Sequence, residues 1–132
     1  MRSRNDAVDW PAAVQRALDI GVCGVGSADD ERAERRLARF AAVQVGSFVW
    51  THDGDGNTYV GRLTGPCRHD PEGEPVDLVH VRDCEWSRAP VDPVLIPEAV
   101  TQTFARGGHN FQRIHPGDVE AETAALWQRL NA

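Results

Sequence analysis

Apolar positions along this chain recur first at helical spacing, then at strand spacing, and then at helical spacing again. In WPAAVQRAL, residues 10–18, Val14 and Leu18 lie one helical step apart, Asp9 can cap and Pro11 suits a first turn. Residues 19–26, DIGVCGVG, alternate apolar and small side chains, which predicts a buried strand. Its glycines either turn the chain or let a ligand approach the backbone. ERAERRLARFAA then carries a sparse apolar stripe of Ala33, Leu37 and Phe40, while Arg32, Arg35, Arg36 and Arg39 fill the rest, predicting an exposed helix with a basic side. That side is either a solvated face or a phosphate-contacting one.

The next signal is a compact antiparallel unit over residues 46–86. In SFVWTH, Phe48 and Trp50 alternate with Ser47, Val49 and Thr51, and Asp53, Gly54, Asp55, Gly56 and Asn57 supply the turn chemistry of a hairpin. The return strand TYVGRLTG places Tyr59, Gly61 and Leu63 on one face and Val60, Arg62 and Thr64 on the other. Gly61 in mid-strand costs stability unless it marks a bulge or a close approach. Residues 66–75 read as a polar loop and residues 76–86 as the third strand, either with Val76, Leu78, His80, Arg82, Cys84 and Trp86 on one face by period or with a bulge that shifts the phase before Trp86.

Pro90, Pro93 and Pro97 punctuate an extended linker, followed by a short helix over residues 97–105 that Gly107 and Gly108 stop. HNFQRIH reads as a last strand or a lid. A final helix over residues 117–130 has Val119, Leu126, Trp127 and Leu130 as its apolar positions. No internal repeat is visible.

Composition narrows the function classes. At 132 residues the chain suits one domain spanning residues 1–132, with a barrel over about 19–115 and a terminal helix over about 117–131. Its 41% hydrophobic and 26% charged residues match a folded protein rather than a disordered one. No apolar run is long enough to span a bilayer and the N-terminus lacks a signal core, so a cytoplasmic protein with no membrane partner is expected. Cys23, Cys67 and Cys84 cannot all pair within one chain and are expected to be reduced, serving as small hydrophobes. A net charge of −6 argues against nonspecific coating of nucleic acid but permits a local basic face. All 14 basic residues are Arg, which reflects base composition or selects the better fork for phosphate.

Catalysis finds little support. Cys67, His69, His80 and Cys84 look like metal ligands, but their spacing within a strand lacks the closely paired knuckles of a structural zinc site, and no metal or other cofactor is expected. No local signature makes a thiol–imidazole nucleophile, and no phosphate-binding or dinucleotide fingerprint occurs. Recognition remains: Trp50, Tyr59, Trp86 and Phe111 with Arg62, Arg82, Arg106 and Arg113 combine stacking walls with forked donors. Each aromatic taken alone can equally be a core residue.

The order of helix, DIGVCGVGS, arginine-rich helix, VGSFVWTHDGDGNTYVGRLTG, DLVHVRDCEW and GGHNFQRI resembles the PUA-like superfamily, and within it the EVE-like domains of modification-dependent restriction systems. The resemblance covers about residues 10–114. It implies an α+β fold, a small, partly open antiparallel β-barrel with flanking helices, and a noncatalytic reader that accepts a flipped, methylated base. It places Gly26, Ser27, Trp50, Tyr59, Trp86, Asn110 and Phe111 at the base pocket. Arg35, Arg39, Arg62, Arg82, Arg106 and Arg113 would meet the nucleic-acid backbone. Its partners would be nucleic acid, DNA ahead of RNA, and a nuclease or other effector in a restriction or RNA-modification system. The competing expectation is a protein-interaction or regulatory module that uses the barrel as a scaffold and docks through Trp127 on the last helix.

Overall fold

The computed structural model describes residues 10–105 and 118–131. Its centre is a curled four-stranded antiparallel sheet, a half-barrel, formed by β1 (Val22–Val25), β2 (Phe48–His52), β3 (Thr58–His69) and β4 (His80–Trp86) in the order β1-β4-β3-β2. Helices α1 (Trp10–Ile20), α2 (Glu31–Ala42), α3 (Glu98–Ala105) and α4 (Asp118–Leu130) flank it. This is the α+β class expected. Among the described residues no helix is long and apolar enough to cross a membrane.

Both faces of the sheet are covered, so its strands cannot show a clean apolar–polar alternation. One face packs Cys23, Val49, Leu63 and Cys84 under Phe40 and Val43, from α2 and the residue after it. The other face is covered twice. Ala13 and Ala17 of α1 close over Val22, Leu78 and Val81, while Val100 of α3 and Val119, Leu126 and Trp127 of α4 close over Trp50 and Val60. α1 enters β1 through Gly21, whose positive φ of 73° suits a glycine at a helix exit.

The hairpin forms as its turn chemistry predicts. Asp53 Oδ1 accepts from the N–H groups of Asp55 and Asn57, and Gly56 takes the left-handed conformation. Two boundaries differ from expectation. β3 does not stop at Gly65 but runs on to His69, and the bulge lies within it rather than before Trp86: Thr64, Gly65 and Pro66 oppose the single Asp83. Proline is tolerated there because a bulge has ladder positions without a required N–H. Residues 71–76, read partly as loop and partly as strand, form a 3-10 turn, and β4 begins only at His80. Asp70 caps that turn and Asp77 ends it in the left-handed conformation.

Candidate functional site

The glycine-rich end of β1 is the first candidate. A Cβ on Gly24 would sit 2.6 Å from the His80 carbonyl oxygen and 2.9 Å from a Val81 methyl, so this glycine serves the packing of β1 on β4. Gly26 and Ser27 follow at the strand's end. A Cβ on Gly26 would collide with the Asp77 carboxylate, whose Oδ1 accepts from the Ser27 N–H at 3.0 Å and the Ser27 hydroxyl at 3.3 Å. Donors at this edge therefore already hold an internal anion. Ser27 itself is exposed, and α2 starts four residues later, capped by Asp30.

The aromatic residues divide. Trp50 is 1% exposed and lies under α3 and α4, so it is a core residue and not the pocket wall expected of it. An indole enclosed on both faces has none to offer a base. Trp86 is half-buried: its Nε1–H donates to the Val22 carbonyl at 2.8 Å and its ring lies over Gly61, where a Cβ would meet Cε3 at 2.6 Å. The glycine in mid-strand thus marks a close approach, made by a side chain of this chain. Tyr59 is half-buried, and burial, then Asp53 and Asp55, raise its phenol above the usual range. Gly26 and Ser27 lie on the β1 edge and Trp50 on the β2 edge of the sheet. Asn110 and Phe111 lie outside the described residues.

Among the arginines, Arg82 requires correction. Expected to contact phosphate, it is 1% exposed and spans the sheet–helix interface. Its Nε–H donates to the Gly65 carbonyl at 2.9 Å, and Nη1 donates to the carbonyls of Phe40, at 3.0 Å, and Val43. The guanidinium carbon also stands 6.0 Å from the centre of the Phe40 ring. Among the described residues no carboxylate pairs with it. The charge is instead met by carbonyls at the negative end of the α2 dipole, and Arg82 ties that helix to the β3 bulge.

Arg35 and Arg39 are exposed on α2, as is Arg32, with Arg36 half-buried beside them. Positions 32, 35, 36 and 39 follow the i, i+3, i+4, i+7 pattern, so these guanidiniums share one flank. The only acidic partner on that stripe among the described residues is Glu31, 3.3 Å from Arg35. Arg62 is exposed on the opposite sheet face, across from Phe48 and Glu85. Arg106 and Arg113 lie outside the described residues.

The thiols and imidazoles complete the inventory. Burial pushes Cys23 up to about 12, and burial also raises Cys84 and Cys67, so none is a thiolate at neutral pH. Among the described residues no group of three or more His, Cys, Asp and Glu side chains is placed to hold a metal ion. His69 and His80, however, stand opposite each other on β3 and β4, with ring centres 5.6 Å apart. Burial, then the neighbouring His69, holds His80 below the usual imidazole value, while Asp77 opposes that shift. Trp127, the expected docking residue, is 8% exposed and packs on Phe48 at 5.8 Å.

Compared with known proteins, no family model matches the chain, and neither a curated protein nor a solved structure matches it significantly.

The Asp77 latch escaped sequence reasoning, while His69 and His80 were weighed there with Cys67 and Cys84 as ligands but not as a facing pair. The latch depends on β1 pairing with β4, which brings Ser27 to Asp77, and the imidazole pair on the β3–β4 register; local spacing fixes neither. The arginine stripe was legible, since it is a property of one helix.

Proposed function

We propose that this chain is a noncatalytic nucleic-acid-binding domain of PUA-like, EVE-like character that grips the sugar–phosphate backbone through α2. The observation that carries the reading is the single flank formed by Arg32, Arg35, Arg36 and Arg39 on a helix whose C-terminal end is anchored by the buried Arg82. A basic stripe on a fixed helix is a physical match for regularly spaced phosphates, and arginine forks bind them in pairs of hydrogen bonds. The exposed Glu31–Arg35 pair contributes little and yields readily to a phosphate. A net charge of −6 over the whole chain confines binding to that flank.

The base, modified in this reading, enters at the Gly26–Ser27 end of β1, which leads directly into α2. There the Ser27 donors now bound to Asp77 would be exchanged for contacts to the base. Extruding a base costs a few kcal/mol, so binding depends on the phosphate contacts for most of its strength. DNA is the preferred polymer in this proposal, and a nuclease or other effector partner supplies any chemistry.

The test is a fluorescence-anisotropy titration with methylated and unmethylated DNA and RNA oligonucleotides over a range of salt. Replacing Arg32, Arg35 and Arg39 by Ala, all exposed positions, is expected to weaken every oligonucleotide alike. The slope of log affinity against log salt should become shallower by about 1 for each lost contact. Ser27→Leu, also exposed, is expected to abolish preference for the modified base while leaving that slope unchanged. Absence of binding at low salt, or unchanged binding by the triple variant, would overturn the reading.

A further inference from the structure

We propose that His69 and His80 form a two-imidazole chelate for a divalent late transition ion, with Cu²⁺ bound most tightly, at the open end of the β3–β4 ladder. The two residues are direct partners in the antiparallel register, so their side chains leave the sheet on the same face. The Asp70 N–H donates to the Val79 carbonyl at 2.6 Å while the Val79 N–H turns to the Val25 carbonyl at 3.2 Å, so 70 and 79 hold one bond of a hydrogen-bonded pair. The adjacent pair, 69 and 80, is then a non-hydrogen-bonded one, the kind in which opposing side chains come closest.

The ring centres are 5.6 Å apart and the planes are tilted by 55°, an arrangement that does not stack the rings. Two imidazoles on one metal, each nitrogen about 2.0–2.1 Å from it, place their ring centres at a comparable separation. Neither imidazole is engaged in a hydrogen bond or ion pair with another described residue. His69 is exposed and His80 half-buried, so an ion reaches the pair from solvent, and water completes its coordination. Two neutral nitrogen ligands with open positions favour Cu²⁺ over Ni²⁺ and Zn²⁺ in the usual order of stability, and disfavour Mg²⁺ and Ca²⁺, which require oxygen.

Such an ion would bridge the last residue of β3 and the first of β4, closing the connection that carries Asp77. It therefore stiffens the same end of the sheet at which Gly26 and Ser27 lie. Because it binds the folded pair and not the separated residues of the unfolded chain, it raises the melting temperature in proportion to the logarithm of free metal.

The experiment is calorimetric titration of the full chain with CuCl₂ and NiCl₂, paired with thermal melts at several metal concentrations. One Cu²⁺ per chain is expected at this site, with a concentration-dependent rise in melting temperature. His69→Gln and His80→Gln should each weaken that binding by about tenfold or more and remove the thermal shift. A variant with His109→Gln and His115→Gln removes the other imidazoles of residues 106–117 and is expected to keep both. Retention of binding in His69→Gln and His80→Gln, or its loss only in the His109→Gln/His115→Gln variant, overturns the proposal. Oligonucleotide binding is not required for any of these readouts, so this test and the nucleic-acid test fail independently.

Discussion

The buried Arg82 side chain joins a helix end to a strand bulge through three hydrogen bonds. Its guanidinium satisfies the carbonyls of Gly65, Phe40 and Val43, two of which belong to the C-terminal end of α2 and one to the bulge of β3. Truncation leaves those acceptors without their donor and opens a cavity between helix and sheet. Arg82→Ala is therefore expected to destabilise the fold by about 3 kcal/mol or more, and Arg82→Lys by less, because one ammonium cannot reach all the acceptors. Urea midpoints of the three proteins check this ordering; equal stability of wild type and Arg82→Ala would remove Arg82 from its structural role. Sequence reasoning placed Arg82 on the correct face of β4 with His80, Cys84 and Trp86. It could not tell that this face is roofed by α2, because the roof comes from a segment some forty residues earlier.

At the scale of elements, the β2–β3 hairpin is the part most completely written in local sequence. Asp53 Oδ1 accepts from two backbone N–H groups and Oδ2 from the Asn57 side chain. Burial alone would push the Asp53 carboxyl up, but the bonds from Asn57 and Asp55 outweigh it and hold the carboxyl below its ordinary value of 3.8. A depressed folded value means the unfolded chain binds the proton first. Stability from this group is thus fully present above the ordinary carboxylate range and is lost as pH falls below it. Asp53→Asn should flatten the acid limb of the stability profile below pH about 4, measured by denaturant midpoints at successive pH values. An unchanged acid limb would mean that the turn does not depend on the carboxylate. α2 shows the same locality: its Asp30 cap, its apolar line of Ala33, Leu37 and Phe40, and its arginine flank all follow from one helical period. The end of β3 does not, since Pro66 and Gly65 carry loop chemistry locally and become a bulge only because Asp83 and Arg82 stand opposite.

Across the whole molecule the core is assembled from both ends of the described chain. Trp50 and Val60 from the sheet meet Val91, Val100, Val119, Leu126 and Trp127 in one cluster, so α3 and α4 are structural parts of the half-barrel. Removing the Trp50 indole is expected to cost about 3–5 kcal/mol, a large part of the total stability of a small domain. Trp50→Ala should accordingly lower the denaturation midpoint sharply, and any loss of ligand affinity in that variant reports unfolding. A variant as stable as wild type would show that the indole is dispensable to the core. By the same packing, Trp127 is a core residue that holds α4 against the sheet.

Periodicity and turn chemistry determined that this chain has a helix, a small-residue strand, a basic helix, a hairpin and later helices, because those signals need only neighbours a few residues apart. The basic flank of α2 belongs to the same class of information. Which side chains line a surface was decided by the tertiary structure alone. Trp50 and Trp86 are both tryptophans on alternating strands, yet one is sealed by α3 and α4 and the other rests half-open on Gly61. Burial is set by what packs across from a residue, and register by which strands meet. Both are long-range properties, and so the Arg82 tie, the Asp77 latch and the His69–His80 pair emerge only when the sheet closes.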